Sequence, residues 1–83
     1  MRILYFAWLR EKIGAGAEEF LLPESVTTVH ELAQVLSARG NGYAAAFADM
    51  GLIRCAVDQE FVSLDAQLGA AKEVAFFPPV TGG

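Results

Sequence analysis

An α+β domain, with a sheet of four to five strands packed on one main helix, is the fold class this chain predicts, on three observations. Residues 3–8 and 73–77 are apolar on both alternating faces, as strands in the middle of a sheet are. Thr28-Val29-His30-Glu31 opens one well-marked helix. Turn residues at Gly14, Gly16, Pro23, Gly40, Asn41-Gly42 and Gly51 divide the rest into short segments. At 83 residues and 54% hydrophobic, the chain makes one domain with room for one core, burying about 60–65% of its unfolded surface.

The first strand, 3–8, alternates Ile3/Tyr5/Ala7 with Leu4/Phe6/Trp8, and one helical turn is expected over 9–13. A second strand over 18–22 stops at Pro23 and forms a hairpin with the first. Thr28 as N-cap and Glu31 at N3 match the capping box, and Val29, Leu32, Ala33 and Leu36 follow the helical period. This helix is expected to end near Arg39, with Gly40 as a left-handed cap. A shorter helix is expected over 43–50, released by Gly51. Ile53, Cys55 and Val57 share one face of a third strand, which Asp58-Gln59-Glu60 turns into a short strand at Phe61-Val62. Leu64 and Leu68 read as loop anchors, and 73–77 is the last strand. The first and last strands, being the most apolar, should be central neighbours.

One main helix covers only one face of such a sheet. The other face then docks a partner or is covered by loops. No apolar run approaches the roughly 18 residues of a membrane span, and Met1 to Phe6 is too short for a signal peptide, so a cytoplasmic protein with no membrane partner is expected. The single Cys55 forms no internal disulfide. A net charge of −4, with six scattered basic residues, argues against a nucleic-acid partner.

Candidates for catalysis are few. Cys55 alternates inward as a buried thiol, with no neighbouring base to activate it. His30 belongs to the first turn of the capped helix, without the companions of a metal site, and no metal is expected. Glu18-Glu19, Glu60 and Asp65 fall on different elements, and Gly14-Ala15-Gly16 matches no phosphate loop. What is left is the end of the chain, Phe76-Phe77-Pro78-Pro79-Val80-Thr81-Gly82-Gly83. Pro78-Pro79 should end strand pairing and hold the next residues extended. Residues 80–83 then reach on the order of 13 Å, enough to enter a cleft in another protein. Gly82 supplies clearance and Gly83 an unhindered carboxylate, which an ATP-using partner can convert to an acyl-adenylate open to a sulfur nucleophile or an amine. A frayed end is the commoner reading of Gly-Gly in an arbitrary protein.

Asp65-x-x-Leu68 and the run from Glu73 to Gly83 resemble the molybdopterin synthase small subunits, a family of ubiquitin-like sulfur carriers. The opening YFAWLRE, the Val-Asp-Gln-Glu hairpin and the helix starting at Thr28 fit as well, so the resemblance covers nearly the whole chain. Ala70-Ala71-Lys72-Glu73-Val74 departs from the Asp-Gly-Asp-Glu-Val common in that family. The resemblance implies a ubiquitin-like β-grasp over 1–79, with a mixed sheet, and a flexible reactive tail over 80–83. It implies that Gly83 is adenylated by an E1-like adenylyltransferase using ATP and Mg, then becomes a thiocarboxylate. The tail would enter the synthase large subunit, in a heterotetramer of two small and two large subunits, and pass sulfur to cyclic pyranopterin monophosphate. Two carriers would serve each product. The carrier binds no cofactor beyond its covalent sulfur and is no enzyme by itself. Phe76, Phe77, Pro78, Pro79, Val80 and Thr81 would bind partners as the strand and stiff neck behind Gly82 and Gly83. Alternatives are a sulfur carrier for thiamine or tRNA thiolation, a ubiquitin-like modifier joined to lysines, and an interaction domain with an inert tail.

Overall fold

The computed structural model describes residues 1–79. The chain runs β1 (Arg2–Tyr5), α1 (Ala7–Ile13), β2 (Ala17–Glu19), α2 (Val29–Ser37), α3 (Asn41–Ala46), a 3-10 turn (Met50–Leu52), β3 (Arg54–Val57), β4 (Glu60–Val62) and β5 (Glu73–Phe77). The five strands form one mixed sheet in the order β2-β1-β5-β3-β4. β1 and β5 pair in parallel and every other pair is antiparallel. Central β5 next to β1 is the placement their two-sided apolar character predicts. The arrangement, a helix-covered mixed sheet, is the β-grasp expected.

Register sorts the side chains into two faces. Ile3 opposes Val74 and Tyr5 opposes Phe76, which in turn opposes Cys55. These point to α2, whose Val29, Leu32, Ala33 and Leu36 are fully buried against them. Phe76 stacks near Tyr5 at 6.4 Å between ring centroids and meets Phe47 edge-on at 5.1 Å. Burying one such ring contributes about 2 kcal/mol. The opposite face carries Leu4, Ala75, Ala56 and Phe61 in one cross-strand row, with Arg54 beside Phe77.

The first strand is shorter than the period suggests. It ends at Tyr5 because Ala7 takes φ 54° and turns the chain into α1, a conformation rare for alanine and so invisible in the pattern. α1 therefore starts at Ala7 rather than at Leu9, and ends at Ile13, capped by Gly14, whose N–H donates to the Arg10 carbonyl at 2.8 Å. β2 is Ala17–Glu19, not 18–22: Phe20 N–H still donates to the Met1 carbonyl, but the strand partner runs out there.

The capping box of α2 is complete. Thr28 Oγ1 accepts from the Glu31 N–H at 3.1 Å, and Glu31 Oε1 accepts from the Thr28 N–H at 3.0 Å. α2 stops at Ser37 with Ala38 as its cap, two residues before the expected end near Arg39. Gly40 has positive φ (80°) but extended ψ (−169°), so it opens α3 instead of closing α2. α3 ends at Ala46, and Gly51 lies inside the 3-10 turn rather than ending a helix. The β3–β4 turn puts Asp58 and Gln59 at φ 48° and 71°, the hairpin geometry that matches strand twist.

That turn also organises the departure noted at 70–74. Asp58 Oδ1 accepts from the N–H groups of Lys72 (2.9 Å) and Glu73 (3.0 Å), while the Asp58 N–H donates to the Glu73 carbonyl at 2.9 Å. The approach to β5 is thus clamped from the neighbouring hairpin without acids of its own.

Candidate functional site at the base of the tail

β5 ends at Phe77, where Pro78 and Pro79 remove the donors a longer ladder needs. The last bond from this corner to β1 is the Phe6 N–H to the Phe76 carbonyl, at 3.1 Å. The neck therefore leaves a strand held on both sides, by β1 and β3. Phe77, Pro78 and Pro79 are half-buried. Phe76 is not a partner-binding residue: it is fully buried in the core, because its position in the alternation faces α2. Val80, Thr81, Gly82 and Gly83, the expected neck and reactive end, lie outside the described residues.

Beside the neck the open face of the sheet is apolar. A shallow groove of about 470 Å³ runs over Leu4, Phe6, Ala56, Phe61, Ala75 and Phe77. Phe61 is 83% exposed and Phe6 47%, and Phe61 leans on Phe77 at 5.6 Å between centroids. No loop among the described residues covers Phe61, which decides against the alternative that loops bury this face. A second groove of about 350 Å³ continues toward the neck, bordered by Arg54, Phe61, Phe77 and Pro79. Leu4, Phe6, Arg54 and Phe61 were not singled out from the sequence as partner-binding. Their signal was present only as the outward half of the strand alternation.

Among the described residues, the buried side chains with nucleophilic or acid–base chemistry are held in structural roles. Burial pushes the Cys55 thiol up, and its Sγ donates to the Val62 carbonyl at 3.3 Å, so it is an inert core thiol. His30 is exposed on α2. Among the described residues, no group of three or more His, Cys, Asp and Glu is placed to hold a metal ion, and no helix is long and apolar enough to cross a membrane.

The strongest polar cluster lies on the helix side, away from the open face. Glu18 accepts from Tyr5 Oη (2.8 Å), Tyr43 Oη (2.7 Å) and Arg39 Nη1 (2.7 Å). Burial opposes ionisation of Glu18, but the hydrogen bonds from Tyr43, Arg39 and Tyr5 outweigh it and hold its carboxyl below the usual range. Burial, with Glu18 as acceptor, pushes both tyrosines up. Every member is satisfied within the fold, which makes this a structural tie and leaves no group for a substrate.

Among the described residues, a two-proline neck leaves a central strand beside an uncovered apolar face. The model of the ThiS family matches residues 3–83. The chain belongs to the ThiS family. Over its full length it is 42% identical to the molybdopterin synthase sulfur carrier subunit of Escherichia coli K12, covering 99% of that protein. It is 34% identical to the subunit of the same name from Haemophilus influenzae, again over 99% of its length. Among solved structures it is similar to a putative molybdopterin converting factor subunit 1 from Pyrococcus furiosus, with a TM-score of 0.73, 30% identity and 95% of each chain covered. SAMP1 from Haloferax volcanii superposes with a TM-score of 0.69 at 28% identity, over 100% of this chain and 98% of that one. The ThiS family member described here is thus a β-grasp protein over its whole described length.

Proposed function

We propose that this ThiS family member is the sulfur carrier subunit of a molybdopterin synthase and supplies sulfur for molybdenum cofactor biosynthesis. The observation that carries the reading is similarity over all 83 residues to three subunits of that name, with a family match that reaches Gly82-Gly83. The protein is a donor and not an enzyme by itself.

In the proposed cycle a Gly83 carboxylate oxygen attacks the α-phosphorus of ATP held with Mg by an E1-like enzyme, and pyrophosphate leaves. Sulfide-level sulfur from a donor then adds to the acyl carbon as hydrosulfide and AMP departs, leaving the thiocarboxylate. In the large subunit that sulfur attacks an electrophilic carbon of cyclic pyranopterin monophosphate, forming the carbon–sulfur bond as a carbon–oxygen bond at that carbon breaks and the oxygen leaves. Water then cleaves the acyl–sulfur bond and restores the Gly83 carboxylate, and a second carrier repeats the transfer. The large subunit supplies the pocket and its catalytic groups, in a complex of two small and two large subunits.

The carrier contributes placement. The strand-held neck gives the tail a fixed origin, and the apolar face gives the partner a broad seat. The reading is tested by mass spectrometry of the chain co-expressed with its activating enzyme. One terminal oxygen replaced by sulfur is expected; persistent absence of that species refutes the reading, and isopeptide-linked adducts through Gly83 in its place identify a protein modifier.

A further inference from the structure

We infer that the docking face carries a charge-reading residue, Arg54, and that the partner seated there presents a carboxylate against it; the partner is the large subunit, so the inference rests on the proposed function. Arg54 is exposed and opposes Phe77, the last residue before the proline neck. It is the one charged side chain bordering the groove formed with Cys55, Phe61, Val62, Phe77 and Pro79. Its Nη1 donates to the carbonyls of Gly51 (3.2 Å) and Ile53 (3.1 Å), which hold the guanidinium in place. The ion pairs among the described residues are Arg39–Glu18 and the Met1 amine–Glu19, so no carboxylate neutralises it there. Asp65 borders the adjoining groove without pairing with it.

Three physical points select an acidic partner. A surface that covers Phe61 and Phe77 must also strip water from Arg54, and a cation desolvated without a counter-charge is costly. The guanidinium is already buttressed, so a bidentate carboxylate contact loses little side-chain entropy on forming. The chain as a whole carries −4, so a lone cation at the neck also orients an incoming acidic surface toward the tail.

The test is association kinetics of the intact carrier with the large subunit across ionic strength. For the wild type, the on-rate should fall as ionic strength rises past about 0.15 M, where the screening length is about 8 Å. Arg54→Glu should lower the on-rate about tenfold at low salt and flatten the salt dependence, with Arg54→Lys losing about threefold or less. A thermal melt equal to wild type shows that these exposed substitutions fold. The same measurements on a carrier whose Gly83 carboxylate is amidated separate the partner's carboxylate from that of Gly83: the Arg54→Glu effect should persist there, and its disappearance overturns the inference. An unchanged on-rate and salt slope in Arg54→Glu also overturns it. So does a salt-sensitive homodimer abolished by Arg54→Glu with large-subunit binding intact, which would make a second copy the occupant. Thiocarboxylate formation is measured separately on the wild type at saturating activating enzyme, and its absence there refutes the proposed function instead.

Discussion

At the scale of single residues, the Glu18 carboxylate joins four segments: Tyr5 on β1, Glu18 on β2, Arg39 after α2 and Tyr43 on α3. Arg39 also lies over the rings of Phe20 and Tyr43, at 5.1 and 4.9 Å from their centroids. Removing the charge leaves a buried tyrosine hydroxyl with a poorer acceptor, so Glu18→Gln should cost about 2 kcal/mol by urea unfolding at neutral pH. The folded-state pKa of Glu18 lies below the 4.5 of the free group. Its contribution is therefore present above pH 4.5 and lost as pH falls through the folded value. Wild-type stability should decline over that acid range, and Glu18→Gln should decline less steeply. An equal acid slope in the two proteins would exclude Glu18 as the linked group. None of this cluster was legible in sequence, where Glu18-Glu19 stood only as carboxylates on a different element from Glu60 and Asp65. Only their alternation on β2 separates them, Glu18 facing the helices and Glu19 the solvent.

At the scale of elements, α2 was the most legible because its signals are local. Thr28 and Glu31 close their box within four residues, and the apolar period follows directly. Thr28→Ala should lower stability by about 1 kcal/mol, seen as an earlier thermal midpoint with an unchanged far-UV spectrum. The packing of α1 on α3 was not legible. A Cβ at Gly42 would overlap the Lys12 carbonyl oxygen, so the two helices meet where one has no side chain. Gly42→Ala should destabilise by about 2 kcal/mol or more, since backbone must move to admit it; a melt equal to wild type would show that α1 relaxes freely. From sequence, Asn41-Gly42 looked like a plain break, because nothing in the local pattern says which distant carbonyl arrives there. The end of β1 was hidden likewise: Ala7 holds a positive φ that its chemistry does not advertise, and the tertiary pairing of Phe6 with Phe76 enforces it.

At the scale of the whole molecule, core and function are separated. The buried residues run from Ile3 to Phe76, and the proposed reactive end follows the prolines. Deleting Gly82-Gly83 should therefore leave the thermal midpoint within about 1 °C of wild type, well inside the 4–8 °C that 1 kcal/mol shifts a domain of this size. The same deletion should abolish thiocarboxylate formation and sulfur transfer. A lowered midpoint would place the tail in the folded core and count against a carrier design. The open face is likewise a property of the whole: one helical layer on a five-stranded sheet leaves Phe61, Phe77 and Phe6 without cover.

The sequence by itself determined the local and periodic features: the capped helix, the two central strands, the prolines that stop β5, and a terminus with nothing else on the chain to do chemistry. Those signals lie within a few residues of one another, so no partner element is needed to read them. Tertiary structure alone decided which half of each strand faces α2, and with that moved Phe76 into the core and Leu4, Arg54 and Phe61 to the open face. The strand period alternates without naming its inner side. Only pairing across β1, β5, β3 and β4 against a single helical layer chooses it.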